Sequence, residues 1–274
     1  MAVARRAAVV GKPIAHSLSP VIHNAGYAAA GLTGWSYTRF ECAESELPGL
    51  VAGLGPEWAG LSVTMPGKEA ALAVAAAASP VAVAVGAANT LVRRGDGSWY
   101  ADNTDVTGMV DVLTAAGVRP GATVTVLGAG GTARAALAAA ARLRARAVTV
   151  VARRAEAIGA LRPVADAVGV PLAGAPWDGA ADHCAADVVV STVPRGVADP
   201  LAAAVPWRPA TVLFDALYDP WPTPLASAAR AAGCRIVSGL DLLLAQALGQ
   251  FEQFTGVPAP REAMAAALAA ARSA

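Results

Sequence analysis

Cysteine is scarce in these 274 residues, and its three copies are far apart. Cys42, Cys184 and Cys234 are odd in number and form no C-x-x-C pair. Neither a disulfide framework nor a zinc site can be built from them, so ordinary buried thiols are expected. The three histidines, His16, His23 and His183, show no metal-ligand spacing, and no metal is expected. An excess of either charge is also missing. Lys plus Arg number 21 against 20 for Asp plus Glu, a net charge of +1, which gives no nucleic-acid surface and no acidic tail. Charged residues make up only 15% of the chain, while the 55% hydrophobic share is inflated by alanine. Long apolar runs are absent as well: residues 70–78 form a stretch of nine, too short to span a bilayer. The N-terminal MAVARRAAVVGKP passes into a strand-like segment without a signal-peptide core and cleavage site. A soluble, cytoplasmic protein without a membrane partner is expected.

What is present centres on residues 123–133, TVTVLGAGGTA. A Thr/Val/Leu strand runs into Gly128, Ala129, Gly130, Gly131, Thr132 and Ala133, and an alanine-rich helix follows at once. G-x-G-x-x-A between a strand and a helix is a dinucleotide-binding fingerprint. Gly128 permits the tight turn, Gly130 lets the backbone approach a pyrophosphate, and Ala133 lets the helix pack close to its strand. The free N–H groups and positive end of that helix then hold phosphates. The next strand, RAVTVVA, ends near residue 152, where an NAD-binding chain places an acid for the ribose 2′-hydroxyl. Here Arg153 and Arg154 stand instead, with no acid before Glu156. A guanidinium fork suits a 2′-phosphate, so NADP is the expected cofactor.

More than 120 residues precede the fingerprint, which implies two domains. Strands are read at 7–11, 36–42, 60–65, 186–192 and 210–218, with a strand at CRIVSG near 234–239. GAANTLVRR, GDGS and WYADN read as a hairpin. Helices are read over 20–31, near 45–54, over 66–78 with Pro66 at a first helical position, over TPLASAARAAG, over LDLLLAQALGQFEQFTG and at the end of the chain. Pro163 should break the helix across EAIGALRPVADAVG. Strand–helix alternation of this kind predicts an α/β fold with a mostly parallel sheet in each half. The first half also places polar residues at strand ends, where open α/β sheets bind ligands. These are Ser17 and Ser19, Thr64 and Lys68, Asn89 and Thr90, and the run Asp102, Asn103, Thr104, Asp105. Taken singly, each has an ordinary role as a helix cap, a loop hydrogen-bonder or a solvated charge.

Together, and in order, they resemble the shikimate dehydrogenases. GKPIAHSLSP, LSVTMPGKE, GAANTL, DNTD, VLGAGGTARA, YDPWPTPL and SGLDLLLAQALGQFEQFTG each resemble a segment of that family, over almost the full length. The resemblance implies reduction of 3-dehydroshikimate to shikimate with NADPH in aromatic amino-acid biosynthesis. It implies that Ser17 and Ser19 bind the substrate carboxylate. Thr64, Asn89 and Gln246 would hold ring hydroxyls, with Tyr218 nearby, and Lys68 and Asp105 would form the catalytic pair. On the cofactor side it adds Leu217 and Gly239 to the glycine loop and the two arginines. It also returns the last helices to the first domain, so a substrate-binding catalytic domain of residues 1–107 plus 240–274 is expected around a Rossmann-type NADP domain of residues 108–239.

The chemistry agrees with that assignment. Hydride delivery to a ketone builds charge on the carbonyl oxygen, which an ammonium can both protonate and stabilise. The chain departs from the family pattern at Ala152-Arg153-Arg154, where Asn-Arg-Thr is common. It departs again at Pro80, at Ser191-Thr192-Val193 and at Leu242. A quinate or aminoshikimate dehydrogenase of the same family is an alternative, which Arg153 without a neighbouring acid disfavours for an NAD-dependent quinate enzyme. A catalytically silent protein that binds NADP or a metabolite is another, against which the retention of Lys68 and Asp105 argues. The sequence permits a homodimer without requiring one.

Overall fold

The structure, a computed structural model, describes residues 4–273. The chain forms two compact units. One runs to Thr104 and resumes at Leu243, and the other is Asp105–Leu242.

The first unit begins with β1 (Arg5–Gly11), α1 (Ser19–Ala29), β2 (Trp35–Glu41), α2 (Leu47–Ala52) and β3 (Trp58–Val63). It continues through α3 (Lys68–Val74), β4 (Ala77–Ala78), α4 (Pro80–Val85), β5 (Thr90–Arg93) and β6 (Trp99–Asp102). Its six strands lie in the order β2-β1-β3-β5-β6-β4. β1 is parallel to β2 and β3, and β4 is parallel to β6, while the hairpin strand β5 runs antiparallel to β3 and β6. β3 is buried along its whole length because it is covered on both faces. Leu61 and Val63 join the core formed with Leu47 and Val51, while the alternate residues Gly60 and Ser62 point the other way.

One expectation fails here. The helix read over 66–78 is only Lys68–Val74, and Pro66 lies in a turn closed by the Gly67 N–H on Thr64 O at 3.0 Å. The alanines beyond Val74 are taken by the sheet: Ala76 N–H donates to Trp99 O and Ser79 N–H to Ala101 O, each at 2.9 Å. Strand pairing overrides the helix preference of alanine. The broken helix at Pro163 is as expected, with the proline in the first turn of a new helix.

The chain enters the second unit through α5 (Thr104–Ala115). Then follow β7 (Thr123–Leu127), α6 (Gly131–Arg142), β8 (Ala147–Ala152), α7 (Ala155–Gly159), α8 (Arg162–Val168), β9 (Leu172–Pro176) and α9 (Ala180–His183). β10 (Val188–Ser191), α10 (Leu201–Ala204), β11 (Val212–Asp215), α11 (Pro224–Ala231) and β12 (Arg235–Ser238) complete it. α12 (Gly239–Thr255) and α13 (Arg261–Ser273) close the chain. The sheet order is β12-β11-β10-β7-β8-β9 and every pairing is parallel, the doubly wound arrangement of dinucleotide-binding domains. Alternate residues feed two cores. Val188, Val190, Val212 and Phe214 pack with α6 and α8, while Val189 and Leu213 pack with α11. No helix among the described residues is long and apolar enough to cross a membrane.

In the first unit α1 carries a fully buried His23 whose ring stacks on Tyr37 at 4.2 Å between centroids. Burial pushes its pKa from the ordinary 6.5 down to about 3, against an opposing contribution from Gln250. The unfolded chain binds a proton below about pH 6.5, and the folded protein does not until about pH 3. Stability contributed by the neutral ring is therefore present above pH 6.5 and is lost as pH falls through that window, by about 1.4 kcal/mol per pH unit well inside it. His23→Leu should flatten the fall in stability between about pH 6.5 and about pH 4 relative to the native protein, whatever it does to stability at neutral pH. Urea unfolding of both proteins across that range checks it, and parallel pH profiles would refute it.

Candidate functional site

In the first unit the polar residues gather where β1, β3 and β6 end. The loop after β1 is held from the side by Arg39, which donates to Ala15 O. Ser17 and Ser19 follow it into α1. Neither caps the helix through its side chain: the cap position is Leu18, and Ser17 Oγ accepts only a 3.3 Å contact from Ser19 N–H. Ser19 is buried and Ser17 half-buried. Thr64 extends β3, its N–H donating to Val10 O at 2.9 Å. It lies against Gly11, where a Cβ would strike Thr64 Cγ2 and approach Met65 O to 2.8 Å, so only glycine fits. Lys68 opens α3, and its carbonyl accepts from Ala88 N–H at 2.8 Å, which ties the start of α3 to the segment holding Asn89.

Asn89 is the centre of this group. It is 3% exposed, and its Oδ1 accepts from Thr104 N–H and from the Thr90 hydroxyl, each at 2.8 Å. Its Nδ2 donates to Thr104 Oγ1 at 3.0 Å and reaches Gln246 Oε1 at 3.4 Å. Gln246 Nε2 donates to Leu243 O at 2.8 Å. The structure thus brings Asn89 and Gln246 together from segments 157 residues apart. Asp105, buried, directly follows Thr104 in the chain. Sequence reading did not single out Gln250, which joins the same network. The signal was there, since Gln246 and Gln250 lie one turn apart on one helix face.

The second unit places Gly128 to Ala133 at the C-terminal end of β7, beside β10, where the strand order reverses. Ligands of doubly wound sheets bind at that point. Gly128 has φ +103, and a Cβ there would sit 2.6 Å from Thr192 Oγ1 and 3.1 Å from Val193 Cγ1. Gly130, the N-cap of α6, has no side-chain cap, and a Cβ on it would meet nothing within 4 Å. The backbone there faces open space, with Ala129 and Thr132 half-exposed on either side. Ala133 is fully buried against the sheet. Arg153 and Arg154 follow β8, both exposed. Leu217 and Tyr218 lie beyond β11. Leu217 N–H donates to Asp215 Oδ1 at 3.2 Å, and burial raises the pKa of both Asp215 and Tyr218. Gly239 opens α12 so close to Ala216 that an added Cβ would overlap its carbonyl oxygen.

A family model described as the shikimate dehydrogenase substrate binding domain matches residues 9–91, and one for the shikimate 5'-dehydrogenase C-terminal domain matches residues 239–269. A curated relative from Anaeromyxobacter dehalogenans, named shikimate dehydrogenase (NADP(+)), is 43% identical over 96% of this chain and 95% of its own. The chain belongs to the shikimate dehydrogenase family. Within the family, the crystal structure of the Mycobacterium tuberculosis shikimate dehydrogenase is similar with a TM-score of 0.87 and 50% identity, covering 97% of this chain and 99% of that one. A shikimate 5-dehydrogenase from Thermus thermophilus, solved in complex with NADP(H) and shikimate, is similar with a TM-score of 0.84 and 31% identity, covering 97% and 99%. The two-domain α/β fold is therefore that of the family.

Gly128→Ala introduces a Cβ into a left-handed backbone and against Thr192. The combined strain and overlap should cost about 1–3 kcal/mol of stability. Thermal unfolding of the variant measures it, and an unchanged midpoint would show that the β7–α6 turn can relax.

Proposed function

We propose that the chain catalyses the reversible NADPH-dependent reduction of 3-dehydroshikimate to shikimate. The observation that carries this reading is the buried Asn89–Thr104–Gln246 cluster beside the start of α3, where Lys68 stands. A set of amides and hydroxyls of this kind suits a polyhydroxylated ring and discriminates against analogues that lack a hydroxyl. The curated relative's NADP(+) name and the ligands of the Thermus thermophilus structure support the same reading.

In this reading the first unit is the substrate-binding catalytic domain and the second the NADP-binding domain. Ser17 and Ser19, with hydroxyls not spent on capping, bind the substrate carboxylate at the start of α1. Thr64, Asn89 and Gln246 hold ring hydroxyls, and Tyr218 is assigned to the same substrate. The open backbone at Gly130 and the uncapped start of α6 fit a pyrophosphate, with Gly128, Ala129, Gly131, Thr132 and Ala133 shaping the turn. Arg153 and Arg154 take the 2′-phosphate, and Leu217 and Gly239 complete the cofactor side. Bound NADPH supplies the hydride. Lys68 donates a proton to the carbonyl oxygen, and its charge stabilises the negative charge growing there. Asp105 orients the ammonium. A cytoplasmic location belongs to this reading, which is compatible with a monomer or a homodimer, and light scattering decides between them.

Purified protein should oxidise NADPH with 3-dehydroshikimate, and reduce NADP rather than NAD with shikimate in preference to quinate. Lys68→Ala should lower turnover at least about 100-fold with a much smaller change in substrate affinity. Turnover near that of the native protein would remove Lys68 from its role. Replacing Arg153 and Arg154 together by serine should raise the KM for NADP by roughly tenfold or more while leaving that for NAD nearly unchanged. Equal losses with both cofactors would argue against a 2′-phosphate site.

A further inference from the structure

Behind Asn89 runs a buried chain of hydrogen bonds whose direction is fixed at both ends. Asn89 O can only accept, so the Gln250 atom 3.0 Å from it is Nε2. The other atom of that amide, Oε1, then faces Ser62 Oγ at 2.6 Å, and Ser62 must donate to it. Tyr37 in turn donates to Ser62 at 2.6 Å. Gln250 Nε2 also donates to Thr90 Oγ1 at 3.1 Å. With its oxygen accepting there, the Thr90 hydroxyl has Asn89 Oδ1 at 2.8 Å and Thr104 Oγ1 at 3.3 Å within reach, and the shorter contact takes its proton. At the far end Thr104 N–H can only donate, and it too meets Asn89 Oδ1 at 2.8 Å. The Thr104 hydroxyl also lies 3.1 Å from this oxygen, so Asn89 Oδ1 has donors to spare and acts only as an acceptor. The Asn89 NH2 has one good partner, Thr104 Oγ1 at 3.0 Å, and one long contact, Gln246 Oε1 at 3.4 Å. The long contact is the one a ligand can replace.

We infer that Gln250 and Thr90 are positioning residues that hold the Asn89 side-chain amide so that it meets a substrate hydroxyl as a donor. Gln250, Ser62 and Tyr37 are all fully or almost fully buried, so each bond in the chain costs a desolvated group if broken. Loss of Gln250 frees the Thr90 hydroxyl to turn away and leaves Asn89 O with a single donor, Val63 N–H at 2.7 Å. The donor preference of Asn89 weakens although Asn89 itself is untouched. This step rests on the reading that Asn89 holds a ring hydroxyl.

The experiment compares Gln250→Met, Thr90→Val and Thr90→Ser in the full-length protein. Calorimetry gives the Kd of shikimate, and the Kd of NADP serves as a control. Gln250→Met and Thr90→Val should each weaken shikimate binding roughly tenfold, the scale of one buried hydrogen bond left unmade, with NADP affinity unchanged. Thr90→Ser, which keeps the hydroxyl, should bind shikimate as the native protein does. In an Asn89→Ala background the effect of Gln250→Met should shrink to less than about twofold, because it acts through Asn89. An equal loss in both backgrounds, or a parallel loss of NADP affinity, would overturn the inference. If Gln250→Met does not fold, the contrast between Thr90→Val and Thr90→Ser decides the matter alone. A ligand-free readout separates this inference from the dehydrogenase reading. The side-chain amide resonances of Asn89, identified by their loss in Asn89→Ala, should shift or broaden in Thr90→Val and stay in place in Thr90→Ser. Unchanged resonances in Thr90→Val refute the positioning role, whereas native protein that binds no shikimate refutes the proposed function instead.

Discussion

A polar side chain inside an apolar sheet core must find a partner or bear the cost of desolvation, and the first unit is organised around meeting that requirement. β3 is buried from end to end, yet it carries Ser62 one residue before its C-terminal end. Ser62 can be there because Gln250 comes from α12 to accept its proton, 188 residues further along the chain. The same helix sends Gln246 to Asn89 and Gln253 to Asp102, the latter at 2.7 Å. Three glutamines on one helix thus fasten the returning C-terminal segment to β3 and to the β5–β6 hairpin. A purely apolar helix face could pack there in several registers. Amides that must each meet a specific acceptor or donor admit only one.

The second unit solves a different problem, its buried Thr125 and Thr211 hydroxyls being satisfied locally by backbone carbonyls and its Asp215 by Thr223. Its parallel sheet is covered on both faces, so its central strands are dominated by valine and other apolar residues, with threonine at Thr125 and Thr149. Such a sheet leaves its chemistry to the loops at the C-terminal strand ends. There the conformation of Gly128 and the open backbone of Gly130 matter more than any side chain. One unit presents amides and hydroxyls held in fixed orientations, the other presents backbone N–H groups, and the two kinds of site suit a hydroxylated ring and a phosphate chain respectively.

Much of this was legible in the sequence because it is local. The strand–glycine–helix pattern at 123–133, the hairpin around GDGS and the break at Pro163 all depend on neighbours within a few residues. The failures are non-local. Alanines at 75–78 look helical until β6 is known to lie alongside and pair with them. Ser17 and Ser19 look like helix caps until the cap proves to be Leu18 with no side-chain bond. Gln250 is one more polar residue on an amphipathic helix until Ser62, Thr90 and Asn89 are seen around it. Residue type and spacing show which groups can hydrogen-bond, but only the fold shows which of those bonds are already made.

That distinction bears on the positions where the chain departs from its family. The segment after β10 reads Ser191-Thr192-Val193, and a sequence comparison alone would treat the change as a loss. In the structure Thr192 Oγ1 donates to Leu127 O at 2.9 Å, which ties the end of β10 to the end of β7 where the strand order reverses. Thr192 and Val193 also form the wall that bars a Cβ from Gly128. The substituted residues therefore help to hold the glycine turn in its left-handed conformation, and that turn aims the start of α6. Leu242 fits the same pattern: it is buried in the core that holds Val237 and Phe214, so its contribution there is packing.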